Sequence, residues 1–216
     1  MSVAVPKPAR ARLVEKIRLG FLALGYERLT MKDLAEFCGL TRRALYHHFS
    51  SKDDAFRAVI QQTGQGDIEA ATEAAKTAIA KREQPANVVA TLFDVRYGVR
   101  RRELAASQYA QEINDTAFRL CRPIMIAQAT ELHARLADLL NEMQQRGMLK
   151  IKPSVASKRL AALLADGARG VNQTLPPIPI AQLVLRYREM AVAILYGCAE
   201  PPAAKKTKRS SSKAGK

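Results

Sequence analysis

Five side chains within one seven-residue run carry the most pointed chemistry in the chain: Arg42, Arg43, Tyr46, His47 and His48 of RRALYHH. A guanidinium presents a fork of donors that fits phosphate oxygens, or O6 and N7 of guanine. A surface helix gains nothing for folding from Arg-Arg and His-His side by side, whereas a helix facing phosphates and base edges does. His47 and His48 are adjacent, so on a helix they point about 100° apart and make a poor metal pair.

Two short helices and a tight turn must hold these groups. Thr30 is a good N-cap with Asp33 at N3 to return the bond, which predicts a helix from Met31 with Leu34, Ala35 and Phe37 at its apolar positions. Gly39 stands where that helix must end with positive φ. Thr41 caps the next helix, which stops near Phe49, and Leu45 and Phe49 share the face that packs back. An earlier helix, about Ala9 to Leu24, carries the stripe Leu13, Ile17, Phe21 and Leu24. A later one, capped by Ser50 or Ser51, turns Phe56, Val59 and Ile60 inward. This is a helix-turn-helix pattern.

Gly25-Tyr26, Thr30-Met31-Lys32-Asp33-Leu34-Ala35, Gly39-Leu40-Thr41, Leu45-Tyr46-His47-His48-Phe49 and Ser51-Lys52 resemble the N-terminal signature of the tetracycline-repressor (TetR/AcrR) family of bacterial transcription regulators. The resemblance runs from about Leu13 to Ile60. It implies an all-α fold, with an N-terminal three-helix DNA-binding domain and a larger C-terminal helical domain for ligand binding and dimerisation. It also implies a double-stranded DNA operator as partner, read by Thr30, Lys32, Thr41, Arg42, Arg43, Ala44, Tyr46, His47, His48 and Lys52. Of these, Lys32, Tyr46, His47 and Lys52 are expected at phosphates, and Arg42 and Arg43 at base edges. The chain departs from the tetracycline repressor itself at Arg42 and Arg43, so that repressor's operator is not carried over. Further implications are a homodimer on a palindromic site and a small-molecule effector that releases the DNA.

The chain has 216 residues, 48% hydrophobic and 25% charged, which fits a helical protein of one ordinary and one small domain. Its formal charge of +15 favours an anionic partner, but six of the positive charges lie in the last twelve residues with no acid among them. The remainder carries +9, so the motif argues for DNA more strongly than the charge does. Cys38, Cys121 and Cys198 lie far apart without a C-x-x-C, suggesting neither zinc nor disulfides. With no signal peptide core and no apolar run of membrane length, a cytoplasmic bacterial protein, on the nucleoid when DNA-bound, is expected. The organisation expected is a flexible arm over 1–8, the DNA-binding domain over 9–62, the effector and dimerisation domain over 63–198, and a disordered basic tail over 199–216. Arg10 and Arg12 suit phosphate or minor-groove contact as well as a plain solvated start.

Gly64 and Gly66 suggest an irregular junction between the domains. From Asn87 to about Glu103 one helix is expected, with Val88, Leu92, Val95 and Val99 inward and Arg96, Arg100, Arg101 and Arg102 as a solvated basic face. A helix over about Glu103 to Cys121 should turn Tyr109, Ile113 and Phe118 inward. A long helix from Ile124 to Arg146 carries the stripe Leu132, Leu136, Leu139 and Met143. The last two helices, about Ser154 to Gln173 and Ala181 to Tyr196, have wide faces rich in small residues. The family resemblance makes them a four-helix dimer interface, with Leu160, Leu164, Leu183, Tyr187, Met190 and Ile194 as candidates; packing within one chain is the alternative. Phe93, Tyr97, Tyr109, Phe118, Met125 and His133 are candidates to line an effector pocket, and the scarcity of inward charges favours an apolar or aromatic effector. Aromatics and a lone histidine at helical spacing also suit plain core. No paired carboxylates, nucleophile with a base, glycine-rich phosphate loop or metal spacing occurs, so an enzyme, a cofactor and a metal are not expected. The alternative function on the same fold is an architectural, nucleoid-associated protein, suggested by the basic tail.

Overall fold

The computed structural model describes residues 7–197, with side chains from residue 9. The basic tail, Cys198 and all but the last two residues of the expected arm lie outside the described residues. Those two residues instead open the first helix, α1 (Lys7–Leu24), where Pro8 is tolerated because first-turn N–H groups have no helical partner. There follow α2 (Met31–Cys38), α3 (Arg42–His48), α4 (Lys52–Ala80), α5 (Pro85–Phe93), a π-helical turn (Asp94–Gly98), α6 (Val99–Leu104), α7 (Ala110–Leu120), α8 (Arg122–Gln145), α9 (Ser157–Asn172) and α10 (Leu183–Tyr196). The described residues contain no strand. The fold is an N-terminal helix-turn-helix joined to a larger helical domain.

Two hydrophobic cores divide the molecule. The N-terminal one gathers Val14, Ile17 and Phe21 of α1, Leu34 and Cys38 of α2, Leu45 of α3, Phe49, and Phe56 and Val59 of α4. Phe21, Tyr26 and Phe56 meet as a trio of rings at 5.0–5.7 Å. Leu24 and Phe37, expected inward, are instead 40% and 43% exposed. Leu24 ends α1 at the Gly25 turn, and Phe37 lies on α2 between the inward positions Leu34 and Cys38. The N-terminal core also takes in Ile113 and Cys121, from far along the chain. The C-terminal core is built from α4, α5, α8, α9 and α10 around Ile79, Leu92, Phe93, Leu132, Leu136, Leu140, Leu164 and Tyr187.

The expected junction at Gly64 and Gly66 does not exist. α4 runs unbroken through both glycines for 29 residues, about 43 Å at 1.5 Å per residue. Gly64 serves packing rather than chain reversal, since a Cβ there would fall 2.1 Å from the Gln128 side chain. Buried Gln128 of α8 uses that space to donate to the carbonyls of Ile60 (3.0 Å) and Gln61 (3.3 Å).

The dimer-interface candidates need correction. Leu160, Leu164, Leu183 and Tyr187 are buried within the chain, because α9 packs on α8 and α10 on α5 through those faces. Met190 and Ile194 are half-buried, and the apolar side chains that α9 and α10 leave outward are Leu163, Val184, Leu185 and Tyr196.

The single helix expected over 87–103 is divided by the π turn, and its arginines are not a solvated face. Arg100 donates to Asp67 of α4 (2.9 Å) and to Glu103 (2.7 Å), and Arg96 lies 3.7 Å from the same Asp67. Arg101 donates to the carbonyl of Ile178 (2.6 Å). Arg102 grips both oxygens of Asp94, eight residues back, at 2.8 and 2.9 Å. Eight α-helical residues span about 12 Å. That pair closes here across the widened turn and over Gly98, where a Cβ would sit 2.2 Å from the Asp94 carboxylate. Burial works against the charge of Arg100, yet Asp67 and Glu103 outweigh it and raise its pKa. Asp67 therefore answers two largely buried cations. Asp67→Ala is expected to lower the unfolding free energy by about 2–4 kcal/mol in denaturant titration, the order for stranding a buried charge. A loss under about 1 kcal/mol would mean that water satisfies these arginines.

Candidate nucleic-acid interface

Local chemistry fixes both helices of the motif. Thr30 Oγ1 accepts from the Asp33 N–H (3.3 Å), and Asp33 Oδ2 accepts from the Thr30 N–H (2.9 Å) and hydroxyl (2.7 Å), a complete capping box. Those bonds hold the Asp33 carboxyl below the usual carboxylate range. α2 ends at Gly39 with φ +70°, and the Leu40 N–H reaches back to the Ala35 carbonyl at 2.8 Å. A Cβ on Gly39 would meet nothing, so its conformation alone demands glycine. Thr41 Oγ1 then accepts from the Ala44 N–H (3.1 Å) to start α3.

α3 buries one side chain, Leu45, and its cap residue Phe49 is also buried. Arg42, Arg43, Tyr46 and His47 stand exposed on it, with Ala44 and His48 half-buried. The Arg42 guanidinium lies over the Tyr46 ring at 5.5 Å, which pre-orients both. Thr30, Lys32 and Thr41 are exposed at the helix starts. Their hydroxyls differ, since Thr30 already donates to Asp33 whereas Thr41 only accepts and keeps its proton for an outside acceptor. Arg10 of α1 reaches the other end of α3, its guanidinium 5.3 Å from the ring centre of the C-cap residue Phe49.

Lys52 has a different setting from the one expected. Its Nζ donates to the carbonyls of Tyr26 (2.7 Å) and Glu27 (3.2 Å) and sits 4.3 Å from the Tyr26 ring centre. An ammonium in the first turn of α4, unfavourable to the helix dipole, is thus answered by two carbonyls of the α1–α2 turn. The Tyr26 hydroxyl donates to Asp53, and burial followed by that carboxylate pushes its pKa well up. From the opposite side, Glu112 of α7 accepts the N–H groups of Tyr26 and of Glu27 (2.6 Å). Sequence reasoning missed Glu112 entirely, because nothing local marks a residue 85 positions away.

The six effector-pocket candidates do not come together. Phe93 and Tyr97 stack at 6.2 Å, and Tyr187 joins Phe93 at 6.1 Å. Tyr187 donates to Asn172 (2.7 Å), and burial pushes its pKa up to about 12. Tyr109, however, packs against Gly25 in the N-terminal core, and Phe118 is 54% exposed because α7 presents Ile113 and Thr116 inward instead. Met125 and His133 are half-buried on α8, and His133 Nε2 has no hydrogen-bond partner. Two open grooves mark the surface. One, about 400 Å³, runs between α1 and α2 past Leu24 and Phe37; the other, about 320 Å³, lies beside α10 at Ile178 and Met190. Among the described residues, no group of three or more His, Cys, Asp or Glu could hold a metal ion, and no helix is long and apolar enough to cross a membrane.

Helix geometry, caps and exposed basic residues define a helix-turn-helix protein. Residues 21–59 match the family model described as bacterial regulatory proteins, tetR family. The repressor AcnR of Corynebacterium glutamicum is 34% identical over 76 residues, 34% of this chain and 40% of AcnR. The regulator TtgR of Pseudomonas putida is 37% identical over 51 residues, 24% of each chain. The chain thus matches less than half the length of these curated relatives. Thermus thermophilus FadR, described as a TetR-family repressor in complex with lauroyl-CoA, shares the fold at a TM-score of 0.58 and 17% identity, over 90% of this chain and 98% of that one. The likeness to the tetR-family model is thus confined to the helix-turn-helix part of the chain, and the likeness to solved structures extends the shared fold over the rest.

Lys52→Met is expected to lower stability by about 1 kcal/mol, the order for losing a charged hydrogen bond at a partly exposed site, read as a lower melting temperature. An unchanged melt with weaker DNA binding would return Lys52 to a phosphate-contact role.

Proposed function

We propose that this protein is a sequence-specific DNA-binding transcriptional regulator, acting as a dimeric repressor that a small-molecule effector releases from a palindromic operator. The observation that carries this reading is α3, a helix of seven residues capped at its start and anchored by Leu45. It leaves Arg42, Arg43, Tyr46 and His47 free to enter a major groove. Arg42 and Arg43 read guanines in each half-site, each good bidentate pair contributing roughly 1–3 kcal/mol of discrimination. Lys32, Tyr46 and His47 hold phosphates, together with the free Thr41 hydroxyl. Thr30 serves mainly as the cap. Residues 9–62 form the DNA-binding unit, and 63–198 the effector and dimerisation unit.

Dimerisation uses the outward apolar side chains of α9 and α10, Leu163, Val184 and Leu185, with Met190 and Ile194 at the edge. An apolar or aromatic effector suits the Phe93–Tyr97–Tyr187 cluster, and the lauroyl-CoA bound by the Thermus FadR supports a ligand with a long apolar part. A regulator acting on DNA works in the bacterial cytoplasm, at the nucleoid, and that is the location this reading implies.

Fluorescence anisotropy on the DNA upstream of the protein's own gene, against a scrambled duplex at physiological salt, tests the reading. A preference of about a thousandfold is expected. Arg42→Ala should relax selectivity at one base position, whereas a phosphate contact such as Lys32→Ala should weaken all sequences alike. Equal binding to both duplexes, lost in a chain ending at Glu200, would favour the architectural function instead.

A further inference from the structure

The reading head is gripped from outside its own motif by one stretch of the C-terminal part, residues 103–112, at four successive points on α1 and the turn after it. Glu103 Oε1 lies 2.6 Å from Arg18 Nη1. Ser107 Oγ donates to the carbonyl of Leu22 (2.6 Å). The Tyr109 ring lies flush on Gly25, where a Cβ would approach it within 2.7 Å, and Gly25 has φ +78° besides. Glu112 Oε1 accepts the N–H groups of both Tyr26 and Glu27.

The last contact is the most specific. The N–H groups of Tyr26 and Glu27 go to Glu112, and the carbonyls of the same two residues go to Lys52. The backbone at the α1–α2 turn is therefore held on one side by α7 and on the other by α4. The capping box that starts α2 opens only three residues later, at Thr30. Whatever shifts the 26–27 backbone shifts the start of α2, and α3 follows through the Gly39 turn.

The stretch also reaches back into the C-terminal core. Glu103 accepts from Arg100 as well as pairing with Arg18, and Arg100 pairs with Asp67, which Arg96 approaches beside the Tyr97 ring. Charged contacts are thus continuous from α1 to the π turn.

Resting on the DNA-binding reading above, we infer that Glu112 is a positioning residue for the reading head: its carboxylate fixes the α1–α2 turn and thereby sets the angle at which α3 meets DNA. Glu112 is thus the end of a strap, residues 103–112, that the C-terminal part lays along α1 and the turn after it.

Since a single oxygen accepts both bonds, Glu112→Gln keeps an acceptor in place and Glu112→Ala removes it. Glu112→Ala is expected to bind the preferred duplex at least tenfold more weakly while melting within a few degrees of the wild type, and Glu112→Gln to stay within about threefold. Hydrogen exchange should show faster exchange at the amides of Tyr26 and Glu27 in Glu112→Ala, with amides of α8 and α9 unchanged. Wild-type affinity in Glu112→Ala, or equal losses in both variants, overturns the inference while leaving the DNA-binding reading intact. Absence of any sequence preference in the wild type overturns both. Should Glu112→Ala fail to fold, Ser107→Ala, which removes only the bond to Leu22, is read in its place. An affinity loss of about threefold or more then supports the strap, and an unchanged affinity overturns it.

Discussion

Gln128 lying in the notch of Gly64 holds α8 against α4 at the level where one hydrophobic core gives way to the other. Any side chain at position 64 would displace the Gln128 amide, and two carbonyls of α4 would lose their extra donor. Because α4 continues through this point without a break, the N-terminal core around Phe56 and the C-terminal core around Ile79 are built on one rod. Helices of this length resist bending unless a proline, a π turn or an inserted group intervenes. Along α4 no joint separates the two cores. The π turn at Asp94–Gly98 is an interruption of this kind in a neighbour of α4, and it lies among the paired arginines.

α4 alone would leave the α1–α2 turn held from one side only. The strap from Glu103 to Glu112 supplies the other side, and the two supports differ in kind. α4 offers Lys52 and Asp53 from its first turn, next to the motif in sequence. The strap offers a carboxylate and a ring from the far side of the C-terminal core. The backbone that leads into α2 is thus bonded from both sides.

Much of the motif was legible from residue types. Thr30, Asp33, Gly39 and Thr41 each admit few local conformations, so the caps and the turn follow from short-range chemistry that a sequence displays. The helical class and most helix positions followed from apolar spacing in the same way. What was not legible depends on contacts distant in sequence. Gly64 reads as a breaker until Gln128 is seen beside it, and Arg96 to Arg102 read as a wet face until Asp67 and Asp94 are found opposite them. Leu160, Leu164, Leu183 and Tyr187 have the composition of an interface, but a buried face and a subunit interface share that composition, and only packing separates them. Tyr109 looks like a pocket aromatic for the same reason.

The paired arginines also bear on how the protein's charge can act. Residues 9–60 hold ten basic and six acidic side chains, a modest excess. Arg18 is neutralised by Glu15 and Glu103, and the pairing lowers the Glu15 pKa and raises that of Arg18. Lys52 is turned inward to carbonyls, and Asp33 is spent on its cap. The field that an approaching polyanion meets therefore comes chiefly from Arg10, Arg12, Lys16, Arg28, Lys32, Arg42, Arg43 and Arg57, all exposed. Likewise Arg96, Arg100 and Arg102 are paired with Asp67, Asp94 and Glu103, and Arg101 is turned to the Ile178 carbonyl. Interaction between exposed charges fades over about 8 Å at physiological salt. The free positive charge of the N-terminal part thus comes from a small set of exposed side chains, the two that open α3 among them.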